Sequence, residues 1–406
     1  MKSSEPLRTP TSTARIRVVC SIGAMHGGGS ERQMVSILRH LDRTRFEPFL
    51  YLVYRSGPLL NLIPDDVPVV SFEERTKTSR FYLPGLMHRR RVRDMASYLK
   101  EIGAEVSYDR TFLMTLISAD AAQRAGVPNV STIVTDPETG FAPVAGRFQW
   151  LKRRILHRLY NRSFQVLAVS DGARQAATRF YGIRPEKIIT HRNGIDTDWV
   201  IQQSLRAVDD AWWQQNATSE NSLRIVTAGR LNEQKGFHFL IDAVSQLCRA
   251  LPERNIRLAI LGEGPWRDIL QNRINEKHLQ GQVKLAGFRD DAAAWYRSAD
   301  LFVLPSLIEG MPNVLLEAMA CGTPVISSDC HSGPSEILKG GALGELVPPG
   351  DSDSLFQAML RSVQDSAAAR RRADLALEAV RKEFSIQSAV SRLEAVLESA
   401  AKSAVR

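Results

Sequence analysis

Residues 299–329 read ADLFVLPSLIEGMPNVLLEAMACGTPVISSD, and this stretch decides the fold class. The apolar run LFVL at 301–304 is typical of a buried strand, and PVIS at 324–327 is typical of another. Between them, Pro312 suits the first turn of a helix that is predicted to run to about Cys321. Strand, helix and strand in this order form a βαβ unit, which builds a parallel sheet.

The same alternation continues on both sides of this unit. Further strands are predicted at 15–21, 47–54, 67–71, 105–108, 129–134, 164–169, 187–192, 223–229, 256–261, 282–286 and 344–347. Polar, irregular sequence between 197 and 222 interrupts the pattern, and the tail from about 353 to 404 is nearly all helical. We therefore predict an α/β protein with two Rossmann-like, doubly wound domains and a helical C-terminal tail.

The predicted domain boundaries follow from these patterns. We predict a disordered lead-in at 1–14, an N-terminal domain at 15–200, a linker at 201–222, a C-terminal domain at 223–380 and a C-terminal helix at 381–406. One option for the C-terminal helix is that it crosses back to the N-terminal domain. Ligands of open α/β sheets lie at the carboxyl ends of the strands. Two such domains facing each other form a cleft, and the loops that follow their strands supply the chemistry.

Composition is that of an ordinary globular protein, with 406 residues, 44% hydrophobic and 24% charged. No uncharged apolar run reaches the roughly 18 residues of a membrane-spanning helix. The Ser/Thr/Pro-rich start lacks the apolar core of a secretory signal, so a cytoplasmic location is expected. The cysteines show no metal-ligand spacing, and no metal is expected; Cys330-His331 suggests one but has no partner pair.

The net charge of +9 is unevenly distributed, because residues 1–200 hold 30 Lys/Arg against 19 Asp/Glu. The excess forms two patches, Arg89–Arg93 and Lys152–Arg162, the second on a helix with one basic and one apolar stripe. Such a helix either lies on an anionic membrane or packs its apolar stripe on its own domain. Nucleic-acid binding is not expected, because aromatic stacking platforms and a known binding motif are missing.

Two loops carry groups that suit phosphate. Gly27-Gly28-Gly29 follows the first strand and opens a helix, whose N-terminal amides favour an anion. The dinucleotide fingerprint fails there, because Arg32 stands where it needs Gly or Ala, so an ordinary tight turn is the alternative. After the strand at 223–229, Arg230 and Lys235 are spaced to reach both phosphates of a diphosphate, although a solvated surface loop is also possible.

A third loop carries two carboxylates. Glu309 lies just before the helix that starts near Pro312, and Glu317 lies on that helix. The pair is suited to bracket a sugar nucleotide, with phosphates on the helix N-terminus and hydroxyls on the acids. A glycosidase pair is the competing interpretation, and a plain helix-surface position is the alternative for Glu317.

At these loops the chain resembles family 4 glycosyltransferases, the retaining group with the GT-B fold of two Rossmann-like domains facing across a cleft. The resemblance is densest over 223–351, and it rests on GRLNEQKG, LGEGP, LAGF, the 299–329 stretch, GPSEIL and LVPPGD. The N-terminal half matches more loosely, through GGGSER at 27–32, AVSDGAR at 168–174 and RNGID at 192–196.

The resemblance implies roles for individual residues. Arg230 and Lys235 would bind the diphosphate, Glu309 would face the transferred sugar and Glu317 the ribose hydroxyls. The remaining implied contacts are backbone amides of Gly310, Met311, Pro312, Asn313 and Val314 around sugar and phosphate, Gly262, Gly264, Phe288 and Arg289 at the nucleotide base, and Gly28 and Gly29 on the N-terminal side. No metal or other cofactor is implied, because the cations and the helix dipole take its electrostatic role.

The sequence departs from the family at one position. Many relatives carry a histidine after the strand at 129–134, whereas here the segment reads Ser131-Thr132-Ile133-Val134-Thr135-Asp136. Thr135 or Asp136 stands as the candidate for that place, and Asp136 is taken as the candidate acceptor-side group.

The resemblance implies a retaining transfer of a hexose or N-acetylhexosamine from a UDP- or GDP-sugar. The expected acceptor is a glycan or lipid-linked glycan of bacterial surface polysaccharide synthesis, at the inner face of the plasma membrane. The alternatives are a nucleotide-sugar epimerase of the same fold and a binding protein with a degenerate site.

Overall fold

The computed structural model describes residues 15–76, 85–215, 219 and 221–404. The predicted lead-in at 1–14 and small parts of the predicted linker and C-terminal helix lie outside the described residues. No helix within these ranges is both long and apolar enough to cross a membrane.

The N-terminal half forms a parallel sheet of seven strands in the order β3-β2-β1-β4-β5-β6-β7. The strands are β1 (Ile16–Ile22), β2 (Phe46–Leu52), β3 (Val69–Ser71), β4 (Val106–Arg110), β5 (Asn129–Ile133), β6 (Gln165–Ala168) and β7 (Ile188–Thr190). The helices are α1 (Gly29–His40), α2 (Phe72–Arg75), α3 (Leu86–Glu101), α4 (Phe112–Ala125), α5 (Pro137–Ala145), α6 (Gln149–Arg162) and α7 (Asp171–Tyr181). Val18, Val19 and Cys20 are all fully buried, as expected for a parallel strand that is covered on both faces.

The C-terminal half forms a parallel sheet of six strands in the order β10-β9-β8-β11-β12-β13. The strands are β8 (Ser222–Ala228), β9 (Asn255–Leu261), β10 (Val283–Gly287), β11 (Leu301–Leu304), β12 (Val325–Ser328) and β13 (Glu345–Val347). The helices are α10 (Phe237–Ala250), α11 (Arg267–Glu276), α12 (Ala292–Ser298), α13 (Asn313–Ala320), α14 (Pro334–Ile337), α15 (Ser352–Gln364), α16 (Ser366–Glu383) and α17 (Ile386–Ala404). Both sheets are doubly wound, so the predicted fold class is confirmed, including the helical tail.

The segment between the two sheets is more ordered than its polar sequence predicts. It holds α8 (Thr197–Ser204) and α9 (Ala211–Gln214). Trp213 is 1% exposed, and its ring centroid lies 5.0 Å from that of Trp295 in the C-terminal half. Asp210 accepts hydrogen bonds from Lys284 and Arg289. The expectation of an irregular linker was wrong here. The order of this segment depends on the tertiary burial of one aromatic side chain, which produces no hydrophobic periodicity in the sequence.

The last helix lies on the N-terminal half. Ile386, Val390, Leu393 and Leu397 of α17 are buried in one cluster with residues of β1 and α1. Glu394 of α17 also pairs with Arg45, at 3.0 Å. The chain therefore crosses between the halves twice, once before β8 and once before α17, and two connections restrict how the cleft opens.

His191, at the end of β7, contacts α17, and its burial predicts how the free energy of unfolding depends on pH. Its Nε2 lies 3.0 Å from the carbonyl oxygen of Ala389, and burial lowers the pKa of His191 from 6.5 to about 4. The unfolded chain therefore binds this proton more tightly than the folded chain. We expect the free energy of unfolding to fall by about 3 kcal/mol as the pH drops from 6.5 to 4.

The test is urea unfolding of the wild type and His191→Gln at pH 7 and pH 5. The variant should lose most of the wild-type difference between the two pH values, because glutamine does not titrate. An equal pH dependence in both proteins would contradict this assignment.

Candidate active site

Two helix N-termini meet at the centre of the cleft, one from each half. Gly28 precedes the first turn of α1, and Asn313 is the first residue of α13. The Asn313 side-chain amide donates to the carbonyl oxygen of Gly29 at 3.2 Å. Both helices direct the positive ends of their dipoles to this point, so the cleft floor favours an anion.

A chain of hydrogen-bonded polar side chains holds the contact between Asn313 and Gly29 in place. The buried Arg110, at the end of β4, donates to Oδ1 of Asn193 at 3.0 Å. Nδ2 of Asn193 in turn donates to Oδ1 of Asn313 at 3.0 Å, which leaves Nδ2 of Asn313 for Gly29. Sequence reasoning did not assign Arg110 or Asn193 to the site, although Asn193 lies in the RNGID motif.

Lys235 and Glu309 form an ion pair within the cleft. Nζ of Lys235 lies 2.5 Å from Oε1 of Glu309, whose side chain is 8% exposed. Ser306 donates to the same oxygen at 2.7 Å, which fixes the carboxylate at the end of β11. Arg230 is exposed and forms no ion pair with any described residue, so its guanidinium is available to a ligand.

Glu317 faces the N-terminal half from α13. Burial raises the pKa of its carboxyl above the ordinary 4.5, while the nearby Arg32 guanidinium and a hydrogen bond with Tyr296 lower it. Arg32 also lies 5.8 Å from the ring centroid of Phe288. Sequence reasoning gave Arg32 no role of its own, and the structure places it near Glu317 across the cleft.

The glycines of this region allow close packing of loops. A Cβ on Gly310 would lie 2.1 Å from the carbonyl oxygen of Val134 in the opposite half. A Cβ on Gly262 or Gly264 would lie 1.9 Å or 2.3 Å from the carbonyl oxygens of Gly229 and Leu231. Gly262 and Gly264 thus let two neighbouring loops approach each other, and their contact with a nucleotide base stays a prediction.

The other predicted binding residues differ in their surroundings. Met311 is 6% exposed and its sulfur accepts from the backbone of Asn193, while Pro312 precedes α13 and Val314 is partly buried in its first turn. Arg289 donates to Asp210 and lies 5.0 Å from the ring centroid of Trp295. Its charge therefore stabilises the segment that joins the halves, and a role at the base stays a prediction.

Asp136 is already engaged on both oxygens. Oδ1 accepts from the backbone of Glu138 and caps α5, and Oδ2 lies 2.8 Å from Nδ1 of His331 in the opposite half. Asp136 is thus paired with His331, which sequence reasoning had considered only as a metal ligand, and a role of Asp136 on the acceptor side stays a prediction. Asp136, Glu138 and His331 are close enough to hold a metal ion, but Glu138 is taken by Arg179 at 3.0 Å.

Comparison with known families agrees with this arrangement. The profile of the Glycosyltransferase Family 4 domain matches residues 27–199, and the profile of glycosyl transferases group 1 matches residues 222–365. The first match covers β2 to β7 and the second covers β8 to β13, and together they include the glycine loop, Lys235, Glu309 and Glu317.

Relatives with assigned names match over part of their length. A putative colanic acid biosynthesis glycosyltransferase, WcaL of Salmonella typhimurium, is 31% identical over 59% of this chain and 58% of its own. A Campylobacter jejuni N-acetylgalactosaminyltransferase, named for a diphospho-undecaprenol-linked substrate, is 29% identical over 52% of this chain and 54% of its own. The chain thus spans about half the length of the curated relatives it matches.

Solved structures share the fold over nearly the whole chain. Anabaena HepE in complex with UDP-glucose has a TM-score of 0.78 at 22% identity, covering 95% of this chain and 100% of that one. Sucrose-phosphate synthase of Thermosynechococcus elongatus has a TM-score of 0.78 at 19% identity, covering 95% and 99%. The solved structures show the shared GT-B fold. The two family profiles, which together cover most of the chain, show that it belongs to the family 4 glycosyltransferases.

Proposed function

We propose that the protein is a retaining glycosyltransferase that moves a hexose or N-acetylhexosamine from a nucleotide-diphosphate sugar to a glycan or lipid-linked glycan. The observation that carries this proposal is the contact of Asn313 with Gly29, which joins the N-termini of α13 and α1. A diphosphate bound there would lie at the positive ends of both helices.

Cations around this point suit a ligand with two negative groups. Arg230 is exposed without an ion-pair partner among the described residues, and Lys235 lies in the same loop. Arg32 approaches from the opposite half. Together they would stabilise the charge that develops on a departing nucleotide diphosphate, which is the role a metal ion fills in other transferases. We therefore propose a reaction without a metal or other cofactor.

The pairing of Lys235 with Glu309 suggests how the donor enters. A diphosphate competes with the Glu309 carboxylate for the ammonium group, and Lys235 moves to the phosphate. Glu309, still held by Ser306, is then free to accept hydrogen bonds from hydroxyls of the transferred sugar. Lys235 and Glu309 thus form an ion pair in the free protein, and in the complex Lys235 binds the phosphate while Glu309 binds the sugar.

Retention would follow from attack on the face of the sugar that carries the leaving group. The acceptor hydroxyl forms the new bond to the anomeric carbon as the bond to the diphosphate oxygen breaks, and that oxygen takes the proton. Closure of the two halves would exclude water and limit hydrolysis of the donor.

The donor base and the acceptor class are proposed by comparison. HepE is known in complex with UDP and UDP-glucose, which favours UDP over GDP as the base. The WcaL and Campylobacter relatives are named for colanic acid and for an undecaprenol-linked substrate. We propose surface polysaccharide synthesis at the cytoplasmic face of a membrane, where the basic surfaces Arg89–Arg93 and Lys152–Arg162 meet anionic lipid.

The experiment is incubation with a panel of UDP- and GDP-sugars and a mixture of candidate glycan acceptors. Transfer should release a nucleoside diphosphate and give a product whose new linkage keeps the donor's anomeric configuration, read by NMR. Inversion would contradict the mechanism. Conversion of the sugar to its epimer without an acceptor would favour an epimerase, and binding without any turnover would favour a binding protein of this fold.

A further inference from the structure

The loop between α5 and α6 exposes a group of apolar side chains at one tip of the N-terminal half. Trp150 is 69% exposed, Phe148 is 55% exposed and Val144 is 52% exposed. Leu151 adds a fourth apolar side chain at 40% exposure. Single exposed apolar residues are ordinary, but four within eight positions form a patch that a soluble surface seldom carries.

Core packing does not account for this tip. Of the predicted apolar stripe of α6, Leu156 is 0% exposed and Leu159 is 1% exposed, whereas Leu151 at the start of the helix is 40% exposed. Leu156 and Leu159 are therefore unavailable to a membrane, and only the first turn of α6 adds apolar surface to the tip. Phe148 has a φ of 61°, a left-handed conformation that is uncommon for a bulky residue, and its ring still lies in solvent beside Arg147.

Basic groups surround the tip. Between Glu138 and Asp171 the chain holds six Lys/Arg and no carboxylate, and the six are Arg147, Lys152, Arg153, Arg154, Arg158 and Arg162. Arg154 and Arg158 are exposed and form no ion pair within the described part of the chain.

The basic patch Arg89–Arg93 lies on α3, in the same layer of helices as α6. Helix α3 packs against α4, and α4 packs against α6. The two basic patches of the sequence therefore lie on neighbouring parts of the N-terminal half, with α4 between them.

We propose that the apolar tip Val144–Leu151 inserts into the interface of an anionic lipid bilayer, with the basic residues of α6 and α3 on the lipid headgroups. Aromatic rings above a basic surface match the apolar and anionic layers of such a membrane. A second copy of this chain is disfavoured as the occupant, because it would bring a like-charged surface into contact.

The position of the tip connects it to the cleft, and this step rests on the proposed function. Helix α5 runs from Pro137, next to Asp136 at the cleft, to Ala145 at the tip. Nine residues of helix span about 13 Å, so membrane insertion would hold the acceptor side of the cleft near the lipid surface. A lipid-linked glycan would reach the cleft without leaving the bilayer.

The test is co-sedimentation of the full chain with vesicles of phosphatidylcholine alone or mixed with phosphatidylglycerol. The wild type should bind the anionic vesicles, and Phe148→Ala/Trp150→Ala should reduce the partition coefficient by about tenfold. Each cation near an anionic surface contributes roughly fivefold, so Arg154→Gln/Arg158→Gln should reduce it by about 30-fold. Leu375→Ala, at an equally exposed residue of the C-terminal half, is the control and should bind as the wild type does.

Equal binding to both vesicle types, or no loss in either double variant, would overturn the proposal. Loss in the arginine variant alone would overturn insertion, since it indicates adsorption by charge. Equal competition of single-stranded RNA against vesicles for the wild type would identify a nucleic-acid surface instead. Sugar transfer to a water-soluble acceptor distinguishes failure of the membrane proposal from failure of the proposed function. The tip variants should keep wild-type transfer in that assay.

Discussion

Gly310→Ala should lower turnover of a nucleotide sugar by roughly 10²-fold while the protein stays folded. The added Cβ would lie 2.1 Å from the carbonyl oxygen of Val134, and backbone on that side cannot rotate away. The two halves must separate to relieve the clash, which moves the glycine loop of α1 away from the N-terminus of α13. The donor site is then incomplete, although each sheet keeps its own core.

Two measurements check this prediction. Steady-state turnover gives the loss of activity, and the radius of gyration from solution scattering should rise relative to the wild type. Gly281→Ala is the matched control, because no heavy atom lies within 4 Å of its Cβ position. Wild-type turnover in Gly310→Ala would show that this close approach is not part of the active state.

Glu309→Gln should lower kcat by roughly 10²–10³-fold and yet leave nucleoside diphosphate binding intact or tighter. Glutamine keeps the shape of the side chain but removes the charge that holds Lys235 at 2.5 Å. Lys235 no longer has to leave an ion pair before it binds phosphate. The sugar-facing carboxylate, in contrast, is lost.

The measurement is a comparison of kcat with the Kd of the nucleoside diphosphate for the same variant. Glu276→Gln, at an exposed residue of α11 that pairs only with Arg273 among the described residues, is the control and should change neither value. A parallel loss of binding and turnover in Glu309→Gln would contradict the exchange of Lys235 from carboxylate to phosphate.

The fold could be predicted from the sequence because each strand is a short apolar run with a helical pattern after it. The described residues form 13 strands, and each strand begins within two residues of its predicted start. Parallel strands buried on both faces give such runs without alternation, which makes them easy to recognise. The prediction of an irregular segment around Trp213 was wrong because the burial of Trp213 depends on Trp295, 82 positions further along the chain.

The site was predictable only in part. Loops that follow strands converge in this fold, so the sequence placed Lys235, Glu309 and Glu317 in one cleft, and the structure brings Lys235 into contact with Glu309. Contacts between the two halves were not predictable, because they depend on how one domain sits against the other. Arg32 opposite Glu317, and His331 on Asp136, are such contacts.

Calorimetric binding of UDP, GDP and ADP tests the central claim, a donor diphosphate site built from both halves, most directly. One nucleotide should bind the wild type, and Lys235→Ala and Glu317→Ala should each weaken it about ten- to a hundredfold, the loss of one charge-assisted contact. Lys277→Ala, at the residue that follows α11, should bind as the wild type does. Failure of the wild type to bind any of these nucleotides, and any intact nucleotide sugar, would contradict the account.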